Sequence, residues 1–232
     1  TPNSALGMKS FPLSLFLFFT LTSACAQNKT TRFLALGDSY TIGESVEESM
    51  RWPNILADTL NTLDFNIGNP TIVAKTGWTT NELTNALLDQ KLARNYDMVS
   101  LLIGVNNQYR GYPIEQYKKE FASLLEKAII YAGGNSEKVF GVSIPNYGVT
   151  PFGIQKGEND IRQDLLIYDS IADSIASSFN IPFINITPIS EKAKNNPTLV
   201  APDQLHPSGK QYQEWVKQIT PVAEHILRNN EN

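Results

Sequence analysis

A chain of 232 residues is long enough for one domain with a substantial core. A hydrophobic fraction of 41% and a charged fraction of 18% are those of a globular protein and exclude a disordered or coiled-coil chain. The net charge is -4 and Lys and Arg are nowhere clustered, so no nucleic-acid partner is expected.

The first element in chain order is a targeting segment. Met8-Lys9 precedes the apolar run Phe11 to Leu21, which has the basic start and the length of a signal-peptide core and is too short to span a bilayer. Residues 1–7 read as an upstream extension or a misassigned start. The run ends in Leu21-Thr22-Ser23-Ala24-Cys25, which holds the chain's single cysteine, so no intramolecular disulfide is possible. This ending resembles a bacterial lipobox, in which the cysteine is acylated and becomes the mature N-terminus. Thr22 stands where a lipobox usually has Leu, and Leu21 lies one place further out. The expectation is a signal peptide and lipobox over residues 1–25 and an exported bacterial protein, with ordinary secretion to the periplasm or medium as the alternative to a membrane anchor at Cys25. Ala26 to Thr31 would then form a tether of about 20 Å.

From Thr31 onward, strand-like and amphipathic stretches alternate. The strand candidates are Arg32–Leu36, Thr71–Ala74, Met98–Ile103, Val139–Ile144 and Pro182–Ile186, and the runs at Met98 and Val139 are nearly all apolar, as strands covered on both faces are. Helical spacing covers Trp52–Leu63, Thr80–Arg94, Ile114–Ala132, Asp160–Phe179 and Ser208–Arg228. In the third, Tyr117, Phe121, Leu124, Leu125, Ala128 and Ile129 share a face until Gly133-Gly134. Thr80 and Ser208 are read as N-caps. Such alternation predicts an α/β fold: a parallel sheet with helices on both faces, ligands binding beyond the carboxyl ends of the strands.

Short runs at those strand ends fit one reaction. Ser39, in Gly37-Asp38-Ser39, follows the first strand at a turn that would expose its hydroxyl. Asp203 lies three residues before His206, close enough to curl back and accept a hydrogen bond from the imidazole, orienting the ring as a base toward the serine. Only two histidines exist, and His225 sits near the end of the last helix, where a cation suits the helix dipole. Acyl transfer also needs donors for the oxyanion. The backbone N–H of Ser39, the N–H of Gly77 (where no β-carbon blocks approach) and the side-chain amide of Asn106 supply them. Asp38 is read as a turn-building residue. Trp78, Tyr109 and Tyr147 are candidate walls of a substrate pocket, and the loop Asn146–Gly153 is read as shaping it. The sequence shows no metal-ligand cluster and no Gly-rich phosphate loop, so no metal and no cofactor are expected.

The ordered blocks Gly37-Asp38-Ser39, Gly77, Gly104-Val105-Asn106 and Asp203-Gln204-Leu205-His206 resemble the SGNH or GDSL family of lipases and esterases, over nearly the whole chain from Gly37 to Pro207. The resemblance implies a three-layer α/β/α sandwich on a five-stranded parallel sheet, a flavodoxin-like arrangement, as one catalytic domain over 31–229. It implies a triad of Ser39, His206 and Asp203, an oxyanion hole of Ser39, Gly77 and Asn106, and a carboxylic-ester substrate. Tyr40 departs from the family's Leu, and Asn107 stands where the family commonly has Asp, a position expected to support loop geometry. A deacetylase of acetylated polysaccharide and a non-catalytic surface lipoprotein binding a glycan or partner remain the alternatives.

Overall fold

The computed structural model describes residues 1–2 and 29–229. The signal-peptide and Cys25 assignments therefore lie outside the described residues. In chain order the main elements are β1 (Phe33–Gly37), α1 (Ser39–Ile42), α2 (Trp52–Asn61), β2 (Thr71–Ala74), α3 (Thr80–Asp89), β3 (Met98–Leu102), α4 (Val105–Tyr109), α5 (Ile114–Tyr131), β4 (Val139–Val142), α6 (Pro151–Ile154), α7 (Glu158–Ser178), β5 (Phe183–Ile184), α8 (Thr187–Glu191) and α9 (Gly209–Asn229).

The strands form one parallel sheet in the order β2-β1-β3-β4-β5. Every residue of β1, β3 and β4 is buried, as their almost wholly apolar sequences require of strands covered above and below. In-register neighbours share a face, so Phe33 and Ala35 of β1 line up with Met98 and Ser100 of β3, and Ser100 with Phe140 of β4. On that face Trp52 of α2 packs against both Phe33 and Phe140, with ring centroids 6.1 and 6.5 Å away. Helix α9 lies along α2 and buries Tyr212 and Trp215. Right-handed crossovers put α3, α5 and α7 on the opposite face, where they pack side by side. These are the three layers that the sequence implies.

Several boundaries differ from the sequence expectation. Helix α3 is capped by Thr79, not Thr80: the Thr79 hydroxyl accepts from the Glu82 N–H while the Glu82 carboxylate accepts from the Thr79 N–H. The same helix stops at Asp89 instead of Arg94, because the chain turns extended at Gln90 and runs back to place Tyr96 against the last turn of α5, its N–H donating to Tyr131 O. Strand β5 keeps only Phe183 and Ile184. Asn185 ends it by accepting the Thr187 N–H on its side chain.

After β1 the chain moves one way across the sheet to β2, and then returns past β1 to β3. The carboxyl ends of β1 and β3 are therefore the switch point at which a doubly wound sheet leaves a crevice. Ser39 follows β1 and Asn106 follows β3. Among the described residues no helix is long and apolar enough to cross a membrane.

Candidate active site

Asp38 sits between β1 and α1 as the N-cap, its carboxylate accepting the Tyr40 N–H at 3.0 Å. That cap makes Ser39 the first helical residue, 5% exposed. Gly43, in the left-handed region at φ 70°, closes the turn, and the N–H groups of Gly43 and Glu44 both donate to Ser39 O at 3.0 Å. Burial pushes the Asp38 carboxyl up to about 7, against the pull of backbone N–H groups at Tyr40, Asp38 and Gly104. Its place at the cap matches the structural role read from sequence.

At the other end of the chain Asp203 is held by four donors. Its Oδ1 accepts the N–H groups of Leu205 and His206, each at 3.0 Å, while Oδ2 faces His206 Nδ1 at 2.6 Å and the Ser45 hydroxyl at 2.7 Å. Burial raises this carboxyl, but the hydrogen bonds from Ser45, Leu205 and His206 outweigh it and hold Asp203 down at about 2. A carboxylate so fixed keeps the inner imidazole nitrogen occupied, leaving Nε2 free to act. The Tyr40 ring meets the His206 ring edge-on, centroids 5.7 Å apart, so the residue following Ser39 sets the imidazole beside the Ser39 turn. The other histidine, His225, is exposed on α9 and contacts Asn229.

The two remaining segments are tied to each other. Gly77 has φ 86°, a conformation that favours glycine, and its carbonyl accepts from Arg110 Nη2. Arg110 also pairs with Glu82 at 3.3 Å. The Asn106 amide donates to Trp78 O at 2.9 Å, which spends one of its two N–H groups. Gly104, at φ 130°, cannot be another residue, because a β-carbon there would lie 2.6 Å from the Tyr117 ring. Asn107 is fully buried: its Oδ1 accepts the Thr80 N–H at 3.0 Å and its Nδ2 donates to the Thr80 hydroxyl at 2.7 Å. Thr80 in turn donates to Glu120. Asn107 therefore supports the loop, and Glu120 takes the proton that an Asp at position 107 would otherwise accept. Arg110, Ser45 and Glu120 are absent from the sequence reading, which expected Asn107 to support the loop and took Thr80 for a helix cap. Each joins residues 27 or more positions apart, and no local pattern marks them.

A cavity of about 200 Å³ opens at this junction, lined by Ser39, Gly77, Asn106 and His206 together with an apolar wall that includes Tyr109, Tyr147 and Phe152. Tyr109 meets Tyr147 edge-on and tilts against Phe152, at centroid distances of 6.4 and 6.3 Å. Burial pushes Tyr147 up to about 12, so its hydroxyl stays a donor, to Gln108 Oε1 at 2.9 Å. The third aromatic expected there, Trp78, does not line the cavity. Its side chain is half-buried against the hydrophobic core, and only its carbonyl reaches the site. The position beside the Gly77 turn explains this, since the carbonyl must face Asn106 while α3 starts directly behind. Phe152, from the loop expected to shape the pocket, takes the place along the wall. Among the described residues no group of three His, Cys, Asp or Glu side chains could hold a metal.

A strand-end serine and a carboxylate-held histidine on one cavity, at the switch point of a parallel sheet, define a serine-dependent hydrolase. Residues 35–214 match the model of the GDSL-like lipase/acylhydrolase family. An arylesterase of Vibrio mimicus is 30% identical over 94% of this chain and 98% of its own length. The chain belongs to the GDSL-like lipase/acylhydrolase family, and it is a carboxylic-ester hydrolase. Among solved structures, the psychrotrophic esterase EstA from a Pseudoalteromonas species superposes with a TM-score of 0.63 at 18% identity, covering 86% of this chain and all of EstA. The acetylxylan esterase Axe2 from Geobacillus stearothermophilus gives 0.61 at 17% identity, covering 86% of this chain and 96% of Axe2. At such identities these two share the fold.

Proposed function

We propose that ester hydrolysis here runs through an acyl intermediate on Ser39, with His206 as base, Asp203 as its partner, and Ser39, Gly77 and Asn106 as oxyanion donors. His206 Nε2 takes the hydroxyl proton as Ser39 Oγ attacks the ester carbonyl, and the carbonyl electron pair moves onto oxygen. The N–H groups of Ser39 and Gly77 and the second N–H of Asn106 receive that charge. Collapse breaks the bond to the alcohol, which leaves with the proton from His206. Water then repeats the sequence and releases the acid and free Ser39. The observation that carries this reading is the convergence of three strand-end segments and the loop before α9, far apart in sequence, on one cavity.

The substrate class we favour is an ester with a short acyl chain or an aryl group. A cavity of about 200 Å³ walled by Tyr109, Tyr147 and Phe152 suits a ring or a few carbons better than a long fatty chain. The name of the Vibrio mimicus relative, an arylesterase, points the same way. The test is a series of aryl esters of rising acyl length, run beside acetylated xylan and lysophospholipid, with fluorophosphonate labelling of wild type and Ser39→Ala. Short aryl esters should turn over fastest, and labelling and turnover should vanish together in Ser39→Ala. Persisting turnover in that variant would remove Ser39 from the mechanism, and faster release of acetate from xylan would move the substrate to acetylated glycans.

We also assign the enzyme to the bacterial cell envelope, from the apolar run ending at Cys25. Cys25→Ser should shift activity from the membrane fraction to the soluble periplasmic fraction. Equal membrane association of the two forms would argue for another means of attachment.

A further inference from the structure

The short segment Gly43-Glu44-Ser45 touches three parts of the site, those at Ser39, Gly77 and Asp203. Its backbone N–H groups at Gly43 and Glu44 donate to the carbonyl of Ser39. The Glu44 carboxylate accepts from Thr76, the residue before Gly77. The Ser45 hydroxyl donates to Asp203 Oδ2 at 2.7 Å across 158 residues of sequence. Ser45 holds this position with φ at 65°, and Gln204, next to Asp203, sits at φ 64°. Left-handed backbone at Ser45 and at the residue next to its aspartate partner is a form of strain that folds retain where geometry is functional.

From this we infer that Ser45 is a fourth, positioning member of the catalytic chain: it locks the Asp203 carboxylate onto His206 and ties that pair to the turn carrying Ser39. The inference rests on the triad proposed above. An ionised carboxylate has about four lone-pair sites. Here the backbone N–H groups of Leu205 and His206 take the two on Oδ1, and His206 Nδ1 and Ser45 Oγ take the two on Oδ2. With every site engaged the group cannot swing about its bond to the chain, and the imidazole hinges on it. Without the hydroxyl, one site on the oxygen that faces the imidazole is released. The negative charge left there draws more strongly on the protonated ring, so His206 gives up its proton less readily.

Two variants separate the hydroxyl from the backbone. Ser45→Gly removes the hydroxyl and relieves the strain of the left-handed conformation, whereas Ser45→Ala removes the hydroxyl and keeps the β-carbon and its strain. In Ser45→Gly, kcat should fall about tenfold with KM unchanged, as expected for one hydrogen bond to a charged group, and the acid limb of the kcat/KM profile should move to higher pH. Introduced into an Asp203→Asn background, the same change should add almost nothing. The inference is overturned by a Ser45→Gly enzyme with wild-type rate and pH profile, meaning that solvent replaces the exposed hydroxyl. A loss confined to Ser45→Ala overturns it too, as does an equal loss in both backgrounds. If Asp203→Asn itself is fully active, it is the proposed triad that fails.

Discussion

Two aspartates flank the proposed catalytic pair, and their surroundings drive them in opposite directions. Asp38 precedes Ser39 and is fully buried, and burial pushes it up to about 7. Asp203 precedes His206 by three residues, is less buried, and is held down at about 2 by four donors. Sequence proximity to a reactive side chain therefore says little about what a carboxyl can do. The number of N–H and O–H groups aimed at it, set against the water it loses, decides its state. Only the aspartate that stays charged can stabilise an imidazolium.

The largest break in this contrast is Asp203→Asn. The amide either donates to Nδ1 or holds the wrong ring tautomer, and kcat should fall by up to about ten-thousand-fold while the circular dichroism spectrum is unchanged. Asp203 also links stability to acid. Its pKa is lower in the fold than in the unfolded chain, so its contribution is present above about pH 4 and is lost as pH falls toward 2. Asp203→Asn should show a flatter acid unfolding curve over that window. Asn106→Ala leaves both carboxyls in place and should lower kcat by about a hundred- to a thousand-fold without moving either limb of the pH–rate profile; a shifted limb would mean Asn106 acts through the triad.

The mildest change is Asp38→Asn, which keeps the cap acceptor for Tyr40. Asp38 binds its proton more tightly folded than unfolded, so its stabilising effect is complete below about pH 4 and is lost as pH rises through about 7. Asp169, buried beside the Ile144 N–H and the Thr187 hydroxyl, is likewise raised to about 7 and has the same sign. Melting temperature in wild type should therefore drop between pH 4 and 8, and Asp38→Asn should drop less, the remainder belonging to Asp169. A rate within a few-fold of wild type would keep Asp38 out of the chemistry.

The contrast also separates what the sequence displays from what it hides. β1, β2, β3 and β4 start within one residue of their expected places, because almost wholly apolar runs and helical periodicity are local signals that tertiary packing reinforces here. Gly77 and Asn106 could be picked out because each sits just past a strand, and His206 because the chain has only two histidines. Ser45 and Arg110 act through partners 33 to 158 positions away, and nothing local to either residue marks it. Trp78 misleads for a related reason. Neighbouring a site residue in sequence does not fix which way a ring points, and α3 leaves that ring the core as its place. The cap at Thr79 was hidden behind Thr80, two adjacent residues of one type, until Glu82 chose between them.

The pairing of α9 with α2 has a consequence for how the enzyme comes into being. The segment supplying Asp203 and His206 is anchored by a helix that must dock onto one formed near the start of the domain. On the proposed triad, a nascent chain still lacking α9 therefore has its serine but not yet the docked imidazole that would activate it. Chemical competence arrives in one step, with the last helix.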